Sequence, residues 1–443
     1  MICSIIENLF WIYSIIEIVF WVCTISVVCI IAGVISYKPY LGIVFVIVSI
    51  PFEGVIDLGC FSVYPLESIL VISVLVCIFK SIFGRYNYFG NIRLLYCCLP
   101  FVMCIMLSAV KSVELSLAVK EIVRWLELFL IYYLTINLIN DDRKIRIILY
   151  SMFLTVAMVS VWIFISFSNS VGLSNSVGLI ICGHRAFSFF GNPNPLAGYI
   201  NLVIPVLFGM FMTSVFLWER ITLGFFTVLS IMAWFLTFSR AAWISLVLTM
   251  ILSYFVTKMR KRATLFFTVL IIIFIVSILY SISRYDFIAR FRLQPTLTAL
   301  ELKAINYRTG FDMVKDSLIF GIGLGNYPLL ITQYTKDVFL IQNNLHSLYL
   351  QILVETGIMG FSAFVFCLVC FIKYLVNSLK FLENFSHPWL FVGLMGGIIV
   401  YLFNNLIEVL NVHGIHLQWG IILGLAVVLT QFRESETCPK TVY

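Results

Sequence analysis

His346 stands where a polar, glycine-opened stretch runs into an apolar one. Residues 321–360 read GIGLGNYPLLITQYTKDVFLIQNNLHSLYLQILVETGIMG: a glycine turn, a mixed segment, Asn343-Asn344-Leu345-His346, then a helix opening with Leu348, Tyr349 and Leu350. An imidazole at the rim of a membrane segment is a candidate proton acceptor, because histidine titrates near neutral pH and ionisable groups in such places usually serve function. The competing reading is an interfacial histidine bonded only to lipid or loop. Three arginine-bearing segments belong to the same face: Gly183 to Tyr199 with Arg185, Thr237 to Trp243 with Arg240 at the apex of a short hairpin, and Tyr307 to Asp312 with Arg308 in a loop helix. Taken singly, each arginine is explained by snorkelling to headgroups or by pairing with Asp312 or Asp316. Together with a histidine they suit a diphosphate, since a guanidinium fork matches two phosphate oxygens.

Neither a D-x-D motif nor a His/Asp cluster shares that face, so no divalent metal and no cofactor are expected, and the charge on a departing pyrophosphate falls to arginine. Gly321-Ile322-Gly323-Leu324-Gly325 lacks the preceding strand and the acidic partner of a dinucleotide fingerprint. The expectation for Gly321, Gly323 and Gly325 is a tight turn whose N–H groups approach a phosphate or sugar, with plain loop flexibility as the alternative.

These residues need a scaffold, and composition names it. Of 443 residues, 62% are apolar and only 11% charged, with mean hydropathy +1.07. Such a chain is a polytopic membrane protein. The longest polar interval, Ser283 to Leu345, is too short and broken for an autonomous enzyme fold, so any chemistry sits on the membrane scaffold. The formal charge of +7 is modest and does not point to nucleic acid. Most of the twelve cysteines lie in apolar spans and read as small hydrophobes. Cys367 and Cys370 form a C-x-x-C in mid-helix with no second pair in view, which argues against zinc or redox chemistry. Cys60 and Cys182 are the candidates for an oxidised pair on the outer side. The N-terminus has no Lys/Arg-rich region or small-residue cleavage site and reads as retained.

Apolar runs predict spanning helices near 15–36, 40–56, 63–83, 94–110, 121–139, 145–168, 196–217, 221–238, 241–257, 264–282, 351–375, 389–410 and 414–431, a count of 12 to 13. Outside the long loop, sixteen Lys/Arg lie on one side and five, Lys111, Lys120, Arg124, Arg185 and Arg240, on the other. The positive-inside rule makes the richer side cytoplasmic and puts the Ser283–Leu345 loop and His346 outside. There no nucleotide-sugar pool exists, so a transfer reaction must draw on a lipid-delivered, activated donor. The chain divides into an N-terminal helix bundle (1–282), the extracytoplasmic loop (283–345) and C-terminal helices with a short cytoplasmic tail (346–443).

The segments RAFSFFGNPNPLAGY, TFSRAAW, NYRTGFDMVKDSLIFGIGLGNY and NNLHSLYLQILVETGIMGF resemble those of the O-antigen ligase and polymerase superfamily over about Arg185 to Gly360. The resemblance implies an all-α, GT-C-like membrane glycosyltransferase with about a dozen helices, acting at the outer face of a bacterial plasma membrane. It implies an undecaprenyl-diphosphate-linked glycan as donor, an acceptor glycan or glycolipid, and no metal or nucleotide. By position in these motifs, Arg185 and Arg240 hold the diphosphate, Arg308 assists or organises the loop, and His346 activates or orients the acceptor hydroxyl. His184 beside Arg185 and the doubled Asn-Pro depart from the pattern. Ligase and polymerase remain alternatives, differing only in acceptor.

A transporter or flippase fits the helix count, but it calls for internal repeats and midplane polar groups. Glu121, Arg124 and Glu127, spaced i, i+3, i+6, are the exception and read as an ion-paired staple. Gln351 and Glu355 read as scaffold, too deep to touch His346.

Overall fold

The computed structural model describes residues 26–52, 56–57, 62–84, 88, 90–172, 186, 188–256, 299–335, 344–412 and 414–437. The expected span at 264–282, together with Arg185, Cys60 and Cys182, lies outside them. Among the described residues the architecture is all-α, relieved only by a two-residue antiparallel pairing of Ile56–Asp57 with Ser62–Val63. In chain order the helices are α1 (Ser26–Tyr37), α2 (Leu41–Ser49), α3 (Pro65–Phe83), α4 (Leu99–Ala109, entered through a 3-10 turn at Leu95–Cys98), α5 (Leu115–Leu138), α6 (Asp142–Gly172) and α7 (Pro193–Thr213). There follow α8 (Leu217–Leu236), α9 (Arg240–Val256), α10 (Ala299–Asp316), α11 (Tyr327–Tyr334), α12 (Leu348–Leu379), α13 (Pro388–Asn404) and α14 (Ile415–Thr437).

Among the described residues six helices are long and apolar enough to cross a membrane: α3, α6, α7, α8, α12 and α14. Shorter apolar helices at Ser26–Tyr37, Leu95–Ala109, Arg240–Ser253 and Pro388–Asn404 stand beside them. The chain is thus a polytopic membrane protein. α5, with 24 residues, also has the length to span, but it carries Lys120, Glu121, Arg124 and Glu127. Large exposed side chains such as Ile82, Phe83, Phe225 and Val228 present an apolar outer surface that suits lipid.

In lipid, helices are held by close packing, because the tails compete for apolar contact as well as leucine does. α7 and α13 meet through glycine. A Cβ on Gly209 would lie 2.5 Å from the Trp389 carbonyl, and one on Gly393 2.6 Å from the Pro205 carbonyl. The two backbones touch, and α7 is buried along nearly its whole length. A second, smaller core joins Met313 and Val314 of α10, Tyr327 and Ile331 of α11, and Leu345, Leu350 and Val354 at the start of α12.

Three expectations are corrected. The prolines and glycines of Gly183–Tyr199 predict an ordered loop or re-entrant turn, yet α7 begins at Pro193, with the Asn192 side chain accepting from the Asn194 N–H at 2.9 Å. Proline is tolerated there because the first turn's N–H groups have no intrahelical partner. Glu121, Arg124 and Glu127 are not one staple. Arg124 pairs with Glu121, while Glu127 turns to His416 Nε2 at 3.2 Å, both of that pair buried. The Cys367–Cys370 pair does have thiol neighbours, since Cys98 Sγ lies 3.2 Å from Cys367 Sγ and Cys97 approaches Cys370.

Candidate functional site

The chain between α13 and α14 turns back on itself and presents Glu408. Asn405 shapes that turn: its side-chain oxygen accepts from the Leu410 N–H at 2.9 Å and its amide donates to the Tyr401 carbonyl at 2.9 Å. Its own carbonyl accepts from the Leu348 N–H at 3.0 Å, tying the turn to the first residue of α12. That N–H has no partner inside the helix, so the bond also caps α12.

Two residues earlier, His346 takes a left-handed backbone conformation, φ +55°. Non-glycine residues seldom adopt it, and such strain is held only where the surroundings fix it. Here the Tyr307 hydroxyl of α10 donates to the His346 carbonyl at 3.2 Å, and Ser347 caps α12 through the Leu350 N–H at 3.5 Å. The imidazole Nδ1 lies 3.2 Å from Glu408 Oε2. An ionised carboxylate only accepts, so Nδ1 donates to it and Nε2 is the nitrogen that would act as the base.

Glu408 is itself clamped. Its Oε1 accepts from Lys303 Nζ at 2.6 Å and from the Asn194 side-chain amide at 3.0 Å, while Lys303 also reaches the Ile407 carbonyl at 3.0 Å. Burial pushes the Glu408 carboxyl up, but the His346 hydrogen bond and the Lys303 charge outweigh it and hold the group below the ordinary carboxylate value. The Tyr307 hydroxyl moves the other way, raised by burial and then by the Glu408 charge, and stays protonated as a donor. Four separate parts of the chain (the α7 N-terminus, α10, the 344–348 turn and the 405–411 turn) thus converge on one carboxylate–imidazole pair. Its chemistry is that of an oriented general base.

The glycine turn supports this site from below. Gly321, Gly323 and Gly325 have φ of +71°, +102° and +72°. Across from them Gly357 breaks the helical geometry of α12, at φ +66°. The N–H groups of Ile322 and Gly323 donate to the carbonyls of Val354 and Glu355 at 3.0 and 3.1 Å, and those of Ile358 and Met359 return to Leu318 and Ile319 at 2.9 and 3.3 Å. The expectation that this turn offers its N–H groups to a phosphate is therefore corrected for Ile322 and Gly323, whose amides complete the hydrogen bonds that the kink interrupts. A side chain has no room: a Cβ on Gly321 would lie 2.4 Å from the Glu355 carbonyl.

Of the arginines read from the sequence, Arg185 lies outside the described residues. Its chain neighbour Ala186 is tied down, the Ala186 N–H donating to the Leu236 carbonyl at 3.0 Å, four residues before Arg240. Arg240 is the exposed first residue of α9. Arg308 is exposed on α10, beside Tyr307. Asp312, weighed as a partner for it, pairs with Lys315 at 2.7 Å. α7 links the Arg240 turn to the histidine: Asn201 donates to the Ala242 carbonyl at 3.1 Å, and Asn194, on the same helix, reaches Glu408. Seven positions apart on one helix, the two asparagines are separated by a rise of about 10 Å.

Glu408, Lys303 and Asn194 were missed as site residues in the sequence. Glu408 carried a usable signal, as an acid in the apolar run assigned to 389–410, where an ionisable group invites a functional reading. Lys303 and Asn194 carried none until the fold brought them to it.

Residues 225–365 match the O-antigen ligase family model, which supports the O-antigen ligase superfamily for this chain. The match holds Arg240, Lys303, Arg308, the glycine turn and His346, and stops short of Asn194 and Glu408. No curated protein matches the chain.

Proposed function

We propose that this protein of the O-antigen ligase superfamily is a GT-C-like membrane glycosyltransferase that takes glycan from an undecaprenyl-diphosphate-linked donor, at the outer face of a bacterial plasma membrane, and transfers or polymerises it without a metal ion. The observation that carries the reading is the His346 imidazole, itself inside the family-matched region, set on Glu408 with Nε2 as the basic nitrogen.

In this reading the acceptor hydroxyl attacks the anomeric carbon of the donor sugar. Nε2 of His346 removes the hydroxyl proton as the new C–O bond forms, and the bond from the anomeric carbon to the diphosphate oxygen breaks. The electron pair leaves on undecaprenyl diphosphate. Glu408 stabilises the imidazolium that results, and Lys303 and Asn194 keep Glu408 in place. Arg240, Arg308 and Arg185 supply the positive charge for the diphosphate, which a fork of N–H donors holds better than an ammonium does. Surface polysaccharide assembly is the process this serves.

Cells producing His346→Ala at normal level should make almost no transferred glycan and should accumulate lipid-linked donor, because a positioned base contributes on the order of a hundredfold or more. Membrane extracts analysed for lipid-linked saccharide read this directly. Normal product from that variant would remove His346 from the chemistry. Activity of the purified protein should persist in EDTA; its loss there, with recovery on adding magnesium, would overturn metal independence.

A further inference from the structure

A small cavity lies beside the His346 turn, between α4, α5, α12 and the 409–412 stretch. It holds about 30 Å³ and is lined on its polar side by Glu121, Arg124, Asn344, Gln351, Glu355 and Asn411. Asn344 precedes His346 by two residues and Asn411 follows Glu408 by three, so the cavity abuts both strands of chain that carry the pair. Its rim is open where Asn344 is exposed and Arg124 partly so.

What sets this cavity apart is its unpaired oxygens. Gln351 Oε1, Glu355 Oε1 and Asn411 Oδ1 are buried without a hydrogen-bond partner among the described residues. Glu355 and Asn411 are each only 3% exposed. Buried polar atoms are nearly always paired, because leaving one unpaired costs its full desolvation, and three around one cavity call for an occupant. The rest of Glu355 is engaged, by the N–H groups of Gly325 and Tyr327 and by the Gln351 side chain.

The lining also decides the occupant's chemistry. The amide oxygens of Gln351 and Asn411 can only accept, so the occupant must donate. Arg124, the cation in the lining, is already paired to Glu121. The cavity therefore offers no uncommitted charge to a phosphate. The volume admits one or two water-sized groups, not a sugar ring. Hydroxyl groups on one edge of a pyranose fit all three conditions: they donate, they are neutral, and they are small. We propose that this cavity is a saccharide-edge subsite, receiving the hydroxyls of a sugar held next to His346 and so selecting which glycan reacts. This deepens the transferase reading and rests on it. Donor sugar and acceptor sugar offer the same chemistry.

The test uses purified full-length protein in nanodiscs with lipid-linked donor extracted from producing cells, comparing wild type with Gln351→Leu and Asn411→Ala. Initial rates are measured while donor and then acceptor concentration is varied, and inhibition by undecaprenyl diphosphate is read in parallel. Each variant should raise KM for one of the two saccharides about three- to tenfold, as expected for one lost hydrogen bond to a neutral group. Inhibition by undecaprenyl diphosphate should be unchanged. A shift confined to donor KM assigns the edge to the donor sugar, and one confined to acceptor KM assigns it to the acceptor. Unchanged KM for both in an active, folded variant means the cavity holds water only and overturns the subsite. Absence of transfer by wild type would instead overturn the transferase reading. Gln351→Leu is nearly isosteric and half-buried, so it keeps the test decisive if Asn411→Ala fails to fold.

Discussion

Glu408 does two things at once: it fixes the proton of His346 on Nδ1, and it stabilises the charge that the ring acquires. Glu408→Gln keeps the shape and removes the charge. The expected result is a fall in kcat of about tenfold to a hundredfold with donor KM little changed, because the group acts on the base and not on bound substrate. Equal loss in kcat and rise in KM would point to a collapsed site. The pH dependence follows from the direction of the shift. A carboxyl held below its ordinary value stabilises the fold above the ordinary range and loses that contribution as pH falls through the lowered value. Thermal stability of wild type in detergent should therefore decline below about pH 4, and its gap to Glu408→Gln should narrow there. At this scale the sequence made His346 legible, since it sat on a polar-to-apolar boundary with a resemblance behind it. Its partners were illegible because they come from 62, 43 and 152 residues away, to judge by the positions of Glu408, Lys303 and Asn194. Nothing in local pattern links such distances.

Helices were the most legible elements, because a lipid solvent forces long apolar runs to become helices. Ends were read less well. Pro193 and Pro195 looked like breakers and instead begin α7, for proline at the first turn removes no hydrogen bond. The kink in α12 at Gly357 was invisible in a run of apolar residues, as was its repair by the glycine turn. That repair gives a sharp prediction. Gly321→Ala puts a Cβ 2.4 Å from backbone at positive φ and should cost about 2 kcal/mol or more, seen as a lowered unfolding midpoint and lost transfer. Gly33→Ala, with nothing within 4 Å of its Cβ, should stay within about 1 kcal/mol of wild type. Equal behaviour of the two would mean that the turn does not brace the kink.

At the scale of the whole molecule the account depends on sidedness. The spans expected from the sequence put most Lys and Arg on the face opposite His346, which predicts an extracytoplasmic loop and a cytoplasmic C-terminus. Cysteine placed at the exposed position of Arg308, in a chain stripped of reactive thiols, should label with an impermeant reagent in intact cells. Labelling only after permeabilisation would reverse the topology and remove the lipid-linked donor. The central claim is that His346, oriented by Glu408, is the base for transfer from such a donor. The most direct measurement is the initial rate at which purified protein releases undecaprenyl diphosphate and forms a new glycosidic bond, for wild type and for folded His346→Ala. The account predicts equal amounts of the two products from wild type and a rate at least about a hundredfold lower from the variant; a His346→Ala rate close to that of wild type would contradict it.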